Sequence, residues 1–358
     1  MPGQATAAEL IDAAVGAGVV PGAVLAAGRW SGEPMLLHVA GHAQLDDAAR
    51  RPMTSDTIFD LASVTKVIAT MPVVLHLAGR GEVGLDDPVC RYLPAFAGLG
   101  KTKVTVRQLL THTSGLPDLP KYYEYRRGAA QVRAAALAEP LIAAPGTACA
   151  YSNVGFIALG ELAAAVAGCG LAELAERVIY APLGMTRTRY RPPADWAGRM
   201  AATESVCGRA KIGVVHDENA AALGGVAGHA GLFSTAGDLA RYAAAWLGED
   251  SGLVAAGLIP PKMRAEALRC HTEGLGGRRG FGWVLRGDGW DNMGDGWPAS
   301  GAGHTGFTGT SLSLDPRSGL WVVLLTNAVH FGRGPEHSVV GLRKQVHAAV
   351  AALLASGS

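Results

Sequence analysis

Apolar residues recur at helical spacing in several segments and at strand spacing near both ends of the chain. Thr6–Val15, Val154–Ala167 and Val339–Leu354 carry apolar side chains at every third or fourth position, which predicts amphipathic helices. Ala23–Ala27 and Met35–Val39 instead indicate two short strands joined by a polar turn. The chain is therefore predicted to begin with a helix followed by two strands.

A second pair of strands is predicted near the end of the chain. Thr310–Leu314 alternates and Leu320–Leu325 is rich in β-type residues, with a Pro- and Gly-containing turn between them. Strands thus sit at both ends and helices in the middle, so we expect an α+β fold with an antiparallel sheet. We predict a discontinuous sheet domain, residues 1–62 and 290–358, and a mostly helical domain, residues 63–289, with the active site in the cleft between them.

Local signals mark several boundaries in the middle of the chain. Pro72 lies inside a helical pattern that follows Ser63, and it predicts a kink or a restart there. Thr105 and Gln108 form a capping box, which predicts a helix start. The stretches 224–231 and 274–303 are rich in glycine and lack periodicity, so both are predicted to be loops.

Composition narrows the class of protein. The chain has 358 residues, 49% of them hydrophobic and 17% charged, with a net charge of +1. No run of Lys or Arg exceeds two residues, so neither a nucleic-acid partner nor a membrane surface is expected. No apolar N-terminal signal is present, and we expect a cytoplasmic protein. An odd number of widely spaced cysteines predicts free thiols: Cys90, Cys149, Cys169, Cys207 and Cys270.

Ser63 and Lys66 carry the first candidate chemistry. On a helix, positions three apart lie on one face, so Lys66 would stand one turn from Ser63. A serine hydroxyl is a weak nucleophile until a base takes its proton, and a desolvated lysine with a lowered pKa can be that base. Ser-x-x-Lys alone is a weak motif, because about one such pattern is expected by chance in a chain of this length.

Tyr151 and Asn153 lie at a predicted helix start and add to that chemistry. A tyrosine at this point serves as a proton shuttle if Lys66 lowers its pKa. Asn153 is expected to hold either a substrate carbonyl or the lysine amine. Further on, Gly306 and Gly309 flank Phe307 and leave the backbone free to approach a ligand, as an oxyanion hole requires.

The order Ser-x-x-Lys, Tyr-x-Asn and a basic residue before Thr-Gly resembles the serine β-lactamase and penicillin-binding protein superfamily. More narrowly, the chain is similar to the class C β-lactamase-related branch with its family VIII carboxylesterases and transacylases. The likeness covers about residues 6 to 350. It rests on Phe59-Asp-Leu-Ala-Ser-Val-Thr-Lys66, Leu109-Leu-Thr-His-Thr-Ser-Gly-Leu-Pro117, Tyr151-Ser-Asn153, Gly228-His-Ala-Gly-Leu-Phe-Ser-Thr235 and His304-Thr-Gly-Phe-Thr-Gly-Thr310.

The resemblance implies a β-lactamase-like fold and a role for each matching residue. Ser63 is the implied nucleophile, and Lys66 and Tyr151 are its activating pair. Asn153 is implied to contact substrate, and the amides of Ser63 and Phe307 to form the oxyanion hole. His304 is left with two interpretations, because it either contacts substrate directly or packs beside the site. The implied partners are a small-molecule acyl donor and an alcohol or amine acceptor; no cofactor and no metal are expected.

His304 departs from the lysine that class C β-lactamases carry there. Histidine is mostly neutral at pH 7, so it does not offer a permanent cation for a substrate carboxylate. The sequence therefore favours a serine esterase, amidase or transacylase over a β-lactamase or D-Ala-D-Ala carboxypeptidase. A non-catalytic relative is a further alternative, but it is disfavoured because Ser63, Lys66 and Tyr151 are all present.

Other polar residues have structural interpretations. His112 is expected to fix the turn after its helix rather than to do chemistry. His216, Asp217 and His229 suggest a metal site, but their spacing matches no ligand motif, so hydrogen bonding is favoured. Trp283, Trp290 and Trp297 are left with two interpretations, because they either line an acyl pocket or pack a loop.

Overall fold

The computed structural model describes residues 5–46, 49–118, 120–206, 208–248 and 252–355. Within these ranges the strands are β1 Gly22–Arg29, β2 Leu36–Asp46, β3 Ala49–Pro52, β4 Phe59–Asp60, β5 Arg189–Tyr190, β6 Ser205–Val206, β7 Arg209–Ala210, β8 Leu232–Ser234, β9 Val284–Leu285, β10 Ala302–Thr305, β11 Ser311–Leu314 and β12 Leu320–Thr326.

The helices lie between β4 and β9 and at both ends of the described part. They are α1 Ala7–Gly16, α2 Met71–Gly79, α3 Val106–Leu110, α4 Tyr122–Tyr125, α5 Ala129–Leu137, α6 Asn153–Ala167, α7 Leu171–Ala175, α8 Glu218–Ala222, α9 Ala236–Ala245, α10 Gly252–Ala255, α11 Pro261–Leu268 and α12 Val340–Ala355. A 3-10 turn at Ala62–Val64 and a π-helical turn at Lys66–Thr70 precede α2.

Seven strands of the described chain form one antiparallel sheet in the order β3-β2-β1-β12-β11-β10-β9. The first strand β1 pairs with the last strand β12, with Ala23 opposite Thr326 and Arg29 opposite Leu320. The sheet is thus completed by both ends of the sequence. The α+β class and the β-lactamase-like sheet with flanking helices are confirmed. The domain boundaries given above stay a prediction.

The alternation of residues along β1 divides the core between the two faces of the sheet. Ala23, Leu25 and Ala27 pack on the face that α1 and α12 cover. Val24 and Ala26 point to the opposite face and join the larger cluster with the middle helices. Because successive side chains of a strand point to opposite faces, one apolar strand serves both clusters.

Helix starts occur where their capping residues predict them. Thr6 and Glu9 form a reciprocal capping box at α1, and Thr105 and Gln108 form another at α3. Such caps satisfy backbone N–H groups that the helix leaves free, typically for about 1 kcal/mol. Pro72 lies in the first turn of α2, directly after the π-helical turn, so the predicted restart is confirmed.

Two loop predictions have different outcomes. Residues 224–231 form no helix or strand, as predicted. The stretch 274–303 is mostly irregular, but it contains the short edge strand β9 and the beginning of β10. Periodicity could not reveal β9, because two residues are too few to show an alternation and only pairing with β10 defines them.

The segment Ala62–Gly79 is long and apolar enough by composition to cross a membrane. However, 83% of it is buried inside the protein, which is the environment of a core helix. Gly155, Gly160 and Leu159 of α6 are also buried in the same region of the molecule. Ser63 and Lys66 therefore lie on a buried segment rather than on a surface helix.

Candidate active site

Ser63 lies in a 3-10 turn that is fixed by the residues before it. The buried Asp60 carboxylate accepts hydrogen bonds from the backbone N–H of Ala62 at 2.8 Å and of His216 at 2.6 Å. Ala62 has a left-handed φ of 46°, which costs energy in a residue with a Cβ. Asp60 thus holds a strained turn that presents Ser63 to the cavity.

Lys66 lies beneath Ser63 and is completely buried. Its Nζ lies 3.1 Å from Ser63 Oγ, 2.6 Å from Asn153 Oδ1 and 3.1 Å from the carbonyl oxygen of His229. Amide and carbonyl oxygens only accept hydrogen bonds, so a neutral Lys66 amine gives its two N–H groups to Asn153 and His229. Its lone pair is then left for the Ser63 hydroxyl proton.

The pKa of Lys66 is lowered to about 7, chiefly by burial and against the smaller opposing effect of Asp217 and Asp118. A buried ammonium loses its hydration, and two nearby carboxylates restore only part of that loss. An amine with a pKa near neutrality can both accept and return a proton at pH 7. Lys66 is therefore suited to act as a general base toward Ser63.

Tyr151 lies on the other side of Ser63, and its pKa is shifted in the opposite direction. Burial raises the pKa of its hydroxyl, whereas a hydrogen bond with Ser63 opposes that shift. The hypothesis that Lys66 lowers this pKa is therefore wrong, although the Lys66 Nζ lies 4.9 Å from the centre of the Tyr151 ring. The reason is that loss of water around the phenolate outweighs the favourable hydrogen bond with Ser63. Tyr151 stays protonated and can donate a proton.

His112 contacts the backbone and the ring of the segment that carries Tyr151. Its Nδ1 accepts a hydrogen bond from the backbone N–H of Ser152 at 3.0 Å, and its ring centre lies 4.8 Å from that of Tyr151. Burial, and next the field of Arg279, lowers the pKa of His112 well below its usual value, so the ring is neutral and Nδ1 can accept. Its carbonyl also accepts from Ala150. The structural interpretation of His112 stays a prediction, and its side chain contacts the segment that carries Tyr151.

Asn153 holds the lysine amine, which was one of its two predicted roles. Its Oδ1 accepts from Lys66, and its Nδ2 donates to Asp118 Oδ1 at 2.7 Å. The carbonyl of Asp118 also accepts from the backbone N–H of Asn153. Asp118 therefore fixes the amide with its oxygen toward Lys66. Sequence reasoning missed Asp118, because it follows a Gly-Leu-Pro turn with no motif of its own.

The glycine-rich loop supplies the third partner of Lys66. A Cβ on Gly228 would overlap the Phe156 carbonyl of α6, so only glycine allows this approach. The carbonyl of the neighbouring His229 accepts a hydrogen bond from Lys66, and the His229 Nε2 lies 2.9 Å from Asp217 Oδ1. The hydrogen-bonded interpretation of Asp217 and His229 is confirmed. Among the described residues, no group of three or more His, Cys, Asp or Glu side chains could hold a metal ion.

The turn after β10 lies against the Ser63 segment. The hydroxyls of Thr308 and Thr310 donate to the carbonyls of Asp60 and Leu61 at 2.7 Å and 3.0 Å. A Cβ on Gly306 would overlap both Thr310 Oγ1 and the Leu61 carbonyl. Gly306 is thus needed for a close contact within the protein, rather than for one with a ligand as the sequence suggested.

Phe307 follows that glycine and borders the cavity. Its side chain is 61% exposed, and within the described residues its backbone N–H has no hydrogen-bond acceptor. The Ser63 N–H is likewise without an acceptor in the described chain. Two free N–H groups beside the nucleophile are what an oxyanion hole needs. That role of Ser63 and Phe307 stays a prediction.

His304 borders the same cavity but is neutral. Its Nδ1 lies 2.8 Å from the Thr305 carbonyl, so Nδ1 carries the proton and donates it. Burial, and next the field of Lys66, lowers the pKa of His304 to about 3. His304 is therefore not a cation at pH 7, and its Nε2 is an acceptor. A direct role in substrate contact stays a prediction.

The cavity has a volume of about 850 Å³. Five of the six predicted site residues line it, namely Ser63, Tyr151, Asn153, His304 and Phe307, and Lys66 lies directly beneath Ser63. Trp290 also lines the cavity and stacks on Tyr151 with ring centres 5.3 Å apart. Trp283 and Trp297 are instead buried in the two cores. Of the two interpretations left open for the tryptophans, lining the pocket therefore holds for Trp290 and packing holds for Trp283 and Trp297.

Comparisons with known proteins agree with this geometry. The Beta-lactamase family model matches residues 7–341. The chain is 33% identical over 312 residues to a putative D-alanyl-D-alanine carboxypeptidase of Escherichia coli K12, covering 77% of this chain and 70% of that protein. The chain belongs to the Beta-lactamase family. The resemblance predicted from the motifs is thus confirmed.

Solved structures of the family share its fold. EstCE1, described as a hydrolase with promiscuous acyltransferase activity, superposes with a TM-score of 0.72 at 24% identity, covering 94% of this chain and 96% of its own. A structure of SurE has a TM-score of 0.73 at 27% identity and covers 98% of this chain and 75% of its own. Esterases, acyltransferases, carboxypeptidases and β-lactamases all occur among these Beta-lactamase family relatives and neighbours.

Proposed function

We propose that this protein is a serine acyl-transfer enzyme that acts on a small ester or amide through an acyl-enzyme at Ser63. The observation that carries the proposal is the 3.1 Å contact between Ser63 Oγ and the buried Lys66 amine, whose pKa is about 7. A nucleophile within hydrogen-bond distance of a base with a near-neutral pKa is the arrangement that covalent catalysis requires.

In the proposed acylation step, Ser63 Oγ attacks the substrate carbonyl and its proton passes to the neutral Lys66 amine. Negative charge develops on the carbonyl oxygen, where the N–H groups of Ser63 and Phe307 donate to it. The bond to the leaving alcohol or amine then breaks. Tyr151 donates its proton to that leaving group and regains one from Lys66, so the proton count is balanced at the end of acylation.

In the second step, the acyl group passes from Ser63 to water or to an alcohol or amine acceptor. The acceptor loses its proton through Tyr151 and Lys66, and Ser63 is regenerated. Both outcomes use the same residues, and they differ in whether the cavity shields the acyl-enzyme from water and holds an acceptor. We propose esterase, amidase or transacylase activity on this basis, and the 850 Å³ cavity supports small-molecule donors and acceptors.

A second candidate is a D-Ala-D-Ala carboxypeptidase. It is supported by the Escherichia coli relative, a putative D-alanyl-D-alanine carboxypeptidase that is 33% identical to this chain. The neutral His304 speaks for the first candidate, because it offers no cation for the terminal carboxylate of such a peptide. A β-lactamase would need the same recognition of a carboxylate. A non-catalytic relative is disfavoured by the intact contact between Ser63 and Lys66.

The cellular setting is part of the proposal. Cys90, Cys149, Cys169 and Cys270 are free thiols, which supports a reducing compartment, and Cys207 lies outside the described residues. We therefore propose a cytoplasmic enzyme. A near-zero net charge supports activity without a nucleic-acid or membrane partner.

The proposal is tested by the mass of the intact protein after brief exposure to three probes. These are a p-nitrophenyl acyl ester, an N-acyl-D-Ala-D-Ala peptide and a penicillin. We expect an acyl adduct on Ser63, or rapid release of p-nitrophenol, with the ester. Rapid release of D-Ala would favour the carboxypeptidase, and a penicillin adduct that is soon hydrolysed would favour a β-lactamase. No adduct and no turnover with any probe would contradict the proposed chemistry.

Substitution of His304 by lysine is expected to change specificity rather than chemistry. A lysine here adds a cation beside the substrate, so esters that carry a free carboxylate should gain about 10-fold in kcat/KM over their methyl-ester analogues. The measurement is the ratio of kcat/KM for the two substrates in the wild type and in His304→Lys. An unchanged ratio would show that this position does not decide carboxylate recognition.

A further inference from the structure

One peptide group in the turn after β10 has hydrogen-bonding groups on two sides. Its N–H belongs to Phe307, which lines the cavity, and has no acceptor among the described residues. Its carbonyl belongs to Gly306 and accepts a hydrogen bond of 2.7 Å from Arg343 Nη2. The same Nη2 lies 2.9 Å from the carbonyl of Thr310. Arg343 thus joins both ends of the turn that carries Phe307.

Arg343 carries its charge in a buried position, which is unusual. It lies in the first turn of α12 and is only 6% exposed. Burial lowers the pKa of Arg343 to about 10, so it remains a cation at pH 7. Its described hydrogen bonds are to the Gly306 and Thr310 carbonyls rather than to a carboxylate, and its Nε has no hydrogen-bond partner among the described residues. Buried cations without a counter-ion are costly and rare, so a function beyond packing is expected.

The field of Arg343 reaches the cavity. Arg343 is one of the groups that lower the pKa of His304, and its side chain lies among those that line the cavity. A cation bound to a peptide carbonyl draws electrons from that peptide, which makes its N–H a stronger donor. The Gly306–Phe307 peptide is polarised in the direction that an oxyanion at Phe307 needs.

We propose that Arg343 is a positioning residue that strengthens the oxyanion hole through the Gly306–Phe307 peptide. This inference rests on the proposed function, because it presumes a negative carbonyl oxygen at Phe307. It assigns to Arg343 no contact with substrate. Arg343 holds the peptide in place and increases the positive charge on its N–H, and it thereby favours the tetrahedral intermediate over the bound substrate.

Two substitutions separate polarisation from simple bracing. Arg343→Gln keeps an N–H donor for the Gly306 carbonyl but removes the charge. Arg343→Lys keeps a charge and a donor, but it places them on a shorter side chain without the planar guanidinium. Loss of one complete oxyanion donor costs about 10²–10³ in kcat, so weakening one is expected to cost about 10–100-fold. The matched control is Lys344→Gln, which removes the next, exposed cation of the same helix.

The experiment measures ester turnover and inhibition by a boronic acid, whose adduct with Ser63 imitates the tetrahedral intermediate. Folding is checked by circular dichroism and thermal unfolding. We expect Arg343→Gln to lower kcat about 10–100-fold with KM within threefold, and to weaken boronic acid inhibition by a similar factor. Arg343→Lys should lie between it and the wild type, and Lys344→Gln should stay within threefold of the wild type. If Arg343 only held the turn in place and its charge had no effect, kcat and boronic acid inhibition of folded Arg343→Gln would be unchanged.

Other outcomes overturn the inference. Wild-type kcat and boronic acid inhibition in folded Arg343→Gln would remove the polarising role, and so would a loss confined to KM. Unfolding of both Arg343 variants would assign the residue to stability instead. The proposed function fails separately if the wild type neither turns over the ester nor forms an adduct with it. If the wild type is active and the variants are unaffected, only the role of Arg343 is contradicted.

Discussion

Replacement of Ser63 by alanine is expected to abolish acyl transfer, with a fall in kcat of about 10⁴-fold or more. No other hydroxyl is held at the Lys66 amine in the described chain, since its remaining contacts are with the oxygens of Asn153 and His229. The measurement combines ester turnover with the intact mass of the protein after exposure to the ester. The adduct should be absent from Ser63→Ala.

The fold of Ser63→Ala is expected to be intact, because the side chain lies at the cavity and its described hydrogen bonds, with Lys66 and Tyr151, lie within the site. Its thermal midpoint and circular dichroism should therefore match the wild type. Ser338→Ala is a matched control, since Ser338 lines the same cavity without contact to Lys66. An adduct on folded Ser63→Ala, or more than a few per cent of wild-type turnover, would contradict the nucleophile assignment.

Replacement of Lys66 by methionine is expected to lower kcat/KM about 10²–10⁴-fold, the usual contribution of a positioned base. Methionine has a similar shape, so Ser63 stays in place but loses its proton acceptor. The measurement is ester turnover at several pH values. In the wild type we expect kcat/KM to rise with pH, with a midpoint near 7 and a plateau above about 8, because the neutral amine is the active form. The methionine variant should lack this rise.

Protein stability gives an independent check on the same pKa. The folded protein holds Lys66 at a pKa of about 7, whereas the ordinary value is 10.5, so the unfolded chain binds more protons between these values. Stability from this residue must therefore rise with pH across that window. Chemical unfolding at pH 7 and pH 9 should show a smaller increase for Lys66→Met than for the wild type. Equal increases, together with an unchanged rate profile, would show that Lys66 is not the titrating base.

The sequence by itself predicted the local elements and the set of site residues. The helices that begin after Thr6 and Thr105 were predictable because their capping hydrogen bonds join residues three apart. Periodicity predicted β1, β12 and α12 for a similar reason, because the apolar face of each element is visible within its own short segment of sequence. Ser63, Lys66, Tyr151 and Asn153 were found as members of one ordered motif set, and the structure brings them together at one cavity.

Only the tertiary structure decided the electrostatics of the site. The pKa values of Lys66 and Tyr151 shift in opposite directions because both groups are buried, and burial disfavours the charged form of each. Sequence spacing carries no information on burial, so the condition set for Tyr151, a pKa lowered by Lys66, could not be judged from it. The neutral state of His304 could be expected from its residue type, but its proton position depends on the Thr305 carbonyl.

The supporting residues were also decided by tertiary structure alone. Asp118 contacts Asn153 across 35 positions of sequence, the His229 carbonyl reaches Lys66 across 163, and Arg343 reaches Gly306 across 37. Two of these contacts use a backbone carbonyl as acceptor, which every residue type possesses, so no motif can mark that side of the contact. The sequence thus determined which groups are proposed to do the chemistry, whereas the packing of distant segments determined their protonation and orientation.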